Sequence, residues 1–119
     1  MQTMRPTGTC ERFDVVVVPF PFTDSASSKR RPALVLSGVE AFNEQSGHVV
    51  LAMITSTKHT SWPLDVEVTD LTAAGLISTS IVRMKIFTLD RDLVLRKAGH
   101  LSAADKRAVV AALSALLGP

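Results

Sequence analysis

Residues 13–18 (Phe-Asp-Val-Val-Val-Val) are apolar at every position but Asp14, a β-branched run too short for a helix and lacking the alternation of a half-exposed strand. The pattern predicts a strand buried on both faces or rolled into a small barrel. Residues 33–37 and 48–55 repeat it, and the polar stretch 38–47 between them, with Asn43, Glu44, Gln45 and Ser46 ahead of Gly47, reads as a short helical turn. Residues 62–68 alternate in period two, which points Leu64, Val66 and Val68 inward. Asp70 is a candidate cap for a turn over 71–74 that Gly75 closes. Along 80–87, Ile81, Arg83, Lys85 and Phe87 fall on one face and Val82, Met84 and Ile86 on the other, so one face is basic and one apolar. A turn at 90–92 precedes a last strand over 93–97, ended by Gly99. Ser102-Ala103-Ala104-Asp105 has the form of a capping box, and the helix it opens carries Val109, Val110, Leu113, Leu116 and Leu117 as an apolar stripe before Gly118-Pro119 stops it. Strands first and one closing helix last, without repeat or linker, predict a single α+β domain, mainly β, whose antiparallel sheet curls to hide its edges.

One stretch departs from this economy. Between the first two strands run Pro19, Phe20, Pro21 and Phe22, a polar segment 23–28, and Lys29-Arg30-Arg31-Pro32. Proline lacks a backbone donor, so Pro19 and Pro21 are expected to end the first ladder and Pro32 to open the next. Arg31 then becomes the last loop residue before a buried strand, held extended by the proline that follows. Phe20 and Phe22 share a side of an extended chain, as plugs at the barrel mouth or as platforms for bases.

Composition narrows the class. At 119 residues the chain has room for one domain, and its longest apolar run falls far short of the ~20 residues of a membrane span. Residues 1–11 read as a flexible extension without the apolar segment of a secretory signal, and the cytoplasm is the expected compartment. Cys10, the single cysteine, excludes an internal disulfide and has no evident role. A net charge of +2 is too small to indicate nucleic-acid binding, but the cations cluster at Lys29-Arg30-Arg31, at Arg83 with Lys85, and at Arg96-Lys97. Converging, these clusters make an anion site; dispersed, they are solvated surface. The three histidines, His48, His59 and His100, have no paired-ligand spacing, and there is no glycine-rich phosphate loop, so no metal or nucleotide cofactor is expected. The groups left at strand ends are Arg31, Thr55, Ser56 and His59, with Arg83 and Lys85 on a later strand. They suit phosphoryl chemistry on a substrate that supplies its own nucleophile.

Four segments taken together, 14–24, 29–37, 54–56 and 80–86, closely resemble the MazF/PemK family of toxin endoribonucleases. The resemblance runs from Phe13 to the end of the last helix. It implies a small SH3-like barrel with a terminal helix, a symmetric homodimer, a cognate antitoxin, and metal-independent cleavage of single-stranded RNA that leaves a 2′,3′-cyclic phosphate and a 5′-hydroxyl. By the same resemblance Arg31 and Thr55 are the catalytic residues. Lys29, Arg30, Phe20, Phe22, Lys58, Arg83 and Lys85 are candidate RNA contacts, with Ser56 and His59 as candidate helpers. One position departs from the family: Phe13 stands where a glycine usually precedes Asp14, and a glycine there permits a turn that phenylalanine is expected to refuse.

The chemistry assigns the roles. Attack of a ribose 2′-hydroxyl on the adjacent phosphate builds negative charge on the phosphorane oxygens, which a guanidinium fork stabilises more than it does the ground state. Arg31 suits that role better than that of a base, because arginine holds its proton at any ordinary pH. His59, four residues after Thr55, carries an imidazole, whose unperturbed pKa of ~6.5 suits a base, although a solvent-exposed loop histidine is the plainer reading. Without the resemblance, Thr55 reads as a hydroxyl ending a strand on its own backbone. Two other classes stay open here: a toxin that binds a protein such as gyrase through the same barrel, and an RNA-binding barrel that never cuts.

Overall fold

The computed structural model describes residues 10–20, 29–56 and 61–118. Six strands form one antiparallel sheet in the order β4-β5-β3-β2-β1-β6: β1 (Asp14–Phe20), β2 (Lys29–Val35), β3 (His48–Ser56), β4 (Val66–Glu67), β5 (Ser80–Asp90) and β6 (Arg96–His100). A π-helical turn (Val39–Asn43) leads into α1 (Glu44–Ser46), and α2 (Leu71–Ala74) and α3 (Ala103–Leu117) complete the chain. The sheet curls into a half-barrel with α3 against it, the α+β, mainly β architecture that the sequence predicts. No helix among the described residues is long and apolar enough to cross a membrane.

The apolar run of β1 is buried on both sides because it separates two cores. Val15 joins Leu34, Ala52, Ile54, Val82, Met84, Leu101, Val109 and Leu113 under α3. Val16 and Val18 join Ala33, Val35, Val49, Leu51, Leu89 and Val94 on the opposite side. Short-range signals hold as read. Asp70 accepts from the Ala73 N–H, Gly75 ends α2 in the left-handed region, and Ser102 accepts from the Asp105 N–H at the start of α3. The Asp105 carboxylate does not reach back to complete a capping box. It turns sideways and takes the Thr69 N–H (3.0 Å), the Thr69 hydroxyl (2.7 Å) and the Asp70 N–H (3.1 Å), tying the segment after β4 to α3.

Several expectations need correction. Arg31 is not a loop residue: β1 and β2 pair beyond both prolines, with Pro19 opposite Arg30, Phe20 opposite Lys29 and Arg31 opposite Val18. Pro32 is tolerated because the β2–β3 ladder stops at Ala33 opposite Met53, so the missing donor is not needed there. Residues 62–68 do not form an alternating strand. Only Val66–Glu67 pairs; the Asp65 N–H donates to the Trp62 carbonyl across a turn in which Leu64 takes φ +66° and stays exposed. Along β5 the alternation breaks where Ala52 faces Ile86 but Met53 faces Arg83, leaving Met84 and Lys85 in a bulge. Met84 stays in the core, and Ile86 moves to the surface. β6 begins later than expected and runs through Gly99, whose missing side chain admits the backbone of Ala73 and Ala74 from α2. On α3 only Val109, Ala112 and Leu113 of the apolar positions are buried, and Val110, Leu116 and Leu117 are exposed.

The chain before β1 is also tied down from residue 10: the Cys10 carbonyl accepts from Asn43 and the Glu11 N–H donates to Asp14. Phe13 takes the conformation expected only of glycine, φ +73°. Its N–H donates to Val35 at 2.7 Å, its carbonyl accepts from Leu101, and its ring is buried with the Arg12 guanidinium 4.7 Å above it. A left-handed non-glycine residue costs about 1–2 kcal/mol, and burying a phenylalanine ring returns about as much, so the substitution is tolerated.

Candidate active site and cationic cavity

The β2–β3 ladder ends at the pair Ala33–Met53, before either strand does. Continuing the Ala33–Met53 register two residues past the last pair sets Arg31 across from Thr55, with strand alternation placing both on the face of Val18 and Ala33. Proline at 32 thus ends the ladder at the point where the two side chains face the gap. Arg31 is half-buried, its Nε is fully buried without a hydrogen-bond partner among the described residues, and its guanidinium carbon lies 5.9 Å from the centre of the Phe20 ring. A buried donor without an acceptor is costly, and an anionic ligand would supply one. Thr55 and Ser56 sit opposite Ile81 and Ser80, both half-buried.

Phe20, half out of the surface, Met53, Lys85, Ile86 and Phe87 line a shallow cavity of about 280 Å³ beside Arg31. The second cavity, about 300 Å³, is bordered by Val17, Arg30, Arg31, Pro32, Arg96 and Ala98 and by the 75–77 segment after α2. Arg30, Arg31 and Arg96 all border this cavity, although Arg30 and Arg31 leave β2 on opposite faces. No carboxylate among the described residues lines that cavity. Lys29 is exposed at the end of β2.

Two further cations of the clusters, Lys97 and Arg83, are neutralised by carboxylates. Lys97 pairs with buried Asp14 at 3.3 Å, which also holds His100 Nδ1 at 2.7 Å. Arg83, expected on an open basic face, is buried and held as a fork: Nε donates to Asp65 Oδ1 at 3.1 Å and an Nη to Oδ2 at 2.9 Å. The bonds from Arg83 are the main reason the Asp65 carboxyl sits below its usual range; burial opposes them and the Trp62 N–H adds to them. The same pairing raises Arg83, against desolvation. Lys85 remains exposed, with its ammonium 4.6 Å from the Trp62 ring centre. Phe22, Lys58 and His59 lie outside the described residues. Asp65 and Trp62 had no assigned role in the sequence, and Arg96 only a place in a cationic cluster; 18 positions separate Asp65 from Arg83, and no local pattern announces their pairing. No three His, Cys, Asp or Glu side chains among the described residues gather as a metal site would require.

The profile of the PemK-like, MazF-like toxins of type II toxin–antitoxin systems matches residues 11–117. The chain belongs to this family. Solved structures agree with the PemK/MazF assignment. A chain of the MazE–MazF complex (form III) from Deinococcus radiodurans is 28% identical, with 92% of this chain and 97% of that chain covered at a TM-score of 0.71. Similar in fold are an endoribonuclease in complex with its cognate antitoxin from Mycobacterial species (20% identical, 92% and 94% covered, TM-score 0.69) and the Mycobacterium tuberculosis toxin MazF-mt6 (23%, 87% and 95%, 0.69). No curated protein sequence matches the chain.

Proposed function

We propose that this PemK/MazF-family protein is a sequence-selective endoribonuclease toxin that cleaves single-stranded RNA without a metal ion. The observation that carries the reading is Arg31, whose buried Nε lacks a partner among the described residues at an opening shared with Thr55. In the reaction the substrate 2′-oxygen forms a bond to the adjacent phosphorus, the bond from phosphorus to the 5′-oxygen breaks, and the proton lost by the 2′-hydroxyl is matched by one gained at the leaving oxygen. The products are a 2′,3′-cyclic phosphate and a 5′-hydroxyl. The Arg31 fork supplies the acceptor oxygens of the phosphorane with charge-assisted bonds, and Thr55 orients the phosphate through its hydroxyl. His59 or Ser56 would serve as helpers in proton transfer.

Partners follow from the same reading. The protein works in the cytoplasm as a homodimer restrained by a cognate antitoxin; relatives of this fold were solved with MazE or with a cognate antitoxin, and Val110, Leu116 and Leu117 leave apolar surface on α3 for a second chain. Purified protein incubated with mixed-sequence RNA in excess EDTA should cut at a limited set of sites and leave cyclic-phosphate 3′ ends. Cleavage abolished by chelation and restored by a divalent ion would overturn the metal-independent mechanism, and intact RNA under every condition would overturn the activity.

A further inference from the structure

We infer that Trp62 is a stacking platform for an unpaired nucleobase, a binding position on the substrate path beyond Arg31 and Thr55. The inference rests on the RNA reading above. Trp62 is the single tryptophan of the chain and is 43% exposed, unusual for a residue with so much apolar surface to bury. It is nonetheless held firmly. Its N–H donates to Asp65 Oδ2 at 2.9 Å, its carbonyl accepts from the Asp65 N–H, and Asp65 is locked by the Arg83 fork. The fold thus spends a left-handed leucine and a buried ion pair on presenting an indole to solvent.

The surroundings select the ligand. The ring lies beside two cations, the Lys85 ammonium at 4.6 Å and the Arg83 guanidinium at 5.9 Å. The nearby carboxylate, that of Asp65, is committed to Arg83, so a cationic ligand would find repulsion without a counter-charge. A flat neutral ring carrying a phosphate meets the reverse situation. An exposed cation–π contact is weaker than a base–aromatic stack, so an arriving base displaces Lys85 from the indole and leaves its ammonium beside the attached phosphate. The position also falls on the path. Arg83 faces Met53, which shares a side of β3 with Thr55; Lys85 and Met53 line the cavity that Phe20 closes, and Phe20 lies under Arg31. Exposed aromatics paired with cations, Phe20 with Arg31 and Trp62 with Lys85, therefore flank the opening on its two sides. Such alternation suits a single strand whose bases are splayed, not a duplex.

Because Trp62 is the sole tryptophan, its emission reads the contact directly. The probe is a mixed-sequence 2′-O-methyl RNA pool, which lacks the nucleophile and stays intact, titrated while anisotropy of a labelled fraction follows binding. Saturable quenching that tracks binding is expected, with much weaker quenching by an abasic ribose-phosphate chain of equal length. Trp62→Ala should weaken binding roughly 5- to 150-fold and raise KM for cleavable RNA with kcat little changed, and Trp62→Phe should recover most of the loss. Binding with unaltered emission, or an alanine variant that binds normally, overturns the assignment while leaving the nuclease reading intact. Quenching without cleavage of unmodified RNA does the opposite. Quenching by an acidic peptide but not by the RNA pool would give the platform to a protein partner and overturn the base.

Discussion

Arg31 and Arg83 stand on the two strands that flank β3, and each is an arginine close to the opening beside Thr55. Their environments are opposite. Arg83 has both arms of its fork filled by one carboxylate and is buried by the turn that supplies it. Arg31 is partly covered by the sheet, yet its buried Nε has no acceptor among the described residues, and its guanidinium carbon lies 5.9 Å from the centre of the Phe20 ring. A satisfied arginine is an element of structure, and one with an open donor is an element of binding. The difference separates residues that hold the site from residues that use it, although the sequence presents both simply as cations on strands.

The largest effect should therefore come from Arg31. Arg31→Ala is expected to lower the cleavage rate by about a hundredfold or more, on the scale of losing one oxyanion donor, without lowering Tm. Arg31→Lys should recover little, since an ammonium cannot present a fork. Arg30→Ala, on the other side of β2, should cost less. Single-turnover cleavage and thermal melts of the same preparations test both halves; a normal rate, or a marked fall in Tm, would place Arg31 among the structural arginines instead.

Arg83 should show the reverse balance. Arg83→Ala leaves the Asp65 carboxylate without its partner and frees the turn that presents Trp62, so Tm falls and KM rises more than kcat declines. Asp65→Ala should do the same from the other side of the pair, and the two effects should not add. A cycle of the two single variants and the double measures this. Additive losses would mean that the pair is not the unit the geometry describes.

How much of this was legible follows from distance along the chain. β1 and β3 are continuous apolar runs, and Asp70 and Ser102 act on N–H groups three residues away, so local pattern sufficed. The roles given to Arg31 and Thr55 rest on the family resemblance and on no local pattern. The bulge at Met84 and Lys85 depends on how β5 registers on β3, which no window of β5 contains, and it decides that Ile86 is exposed. Residues 62–68 misled because alternation alone cannot distinguish a strand from a turn whose Leu64 adopts a left-handed conformation. Phe13 misled in the other direction: a rule about glycine gave way to two backbone hydrogen bonds and a buried ring.

The smallest effect, and the sharpest probe of the Arg83 side, is the acid titration of Asp65. The bonds from Arg83 hold its carboxyl below 3.8, with burial acting against them and the Trp62 N–H with them. A carboxyl depressed in the folded state contributes stability that is fully present above its unfolded value of about 3.9 and is lost as pH falls through the folded value. Protonation then releases Arg83 and loosens the turn at Trp62. Emission from this single tryptophan should accordingly change with a midpoint below the ordinary aspartate range, and the change should be absent from Asp65→Asn, in which the pair is already broken. Asp105 titrates in the same direction: burial raises it, but the Thr69 hydroxyl and the N–H groups of Asp70 and Thr69 outweigh that and hold it low. Its protonation frees the segment after β4 from α3, so far-UV circular dichroism must be followed in parallel, with Asp105→Asn as the control that moves the backbone signal and not the early tryptophan signal. A tryptophan transition centred in or above the ordinary aspartate range with the backbone intact would mean that Arg83 is not held by Asp65 in solution, and the contrast with Arg31 would fail.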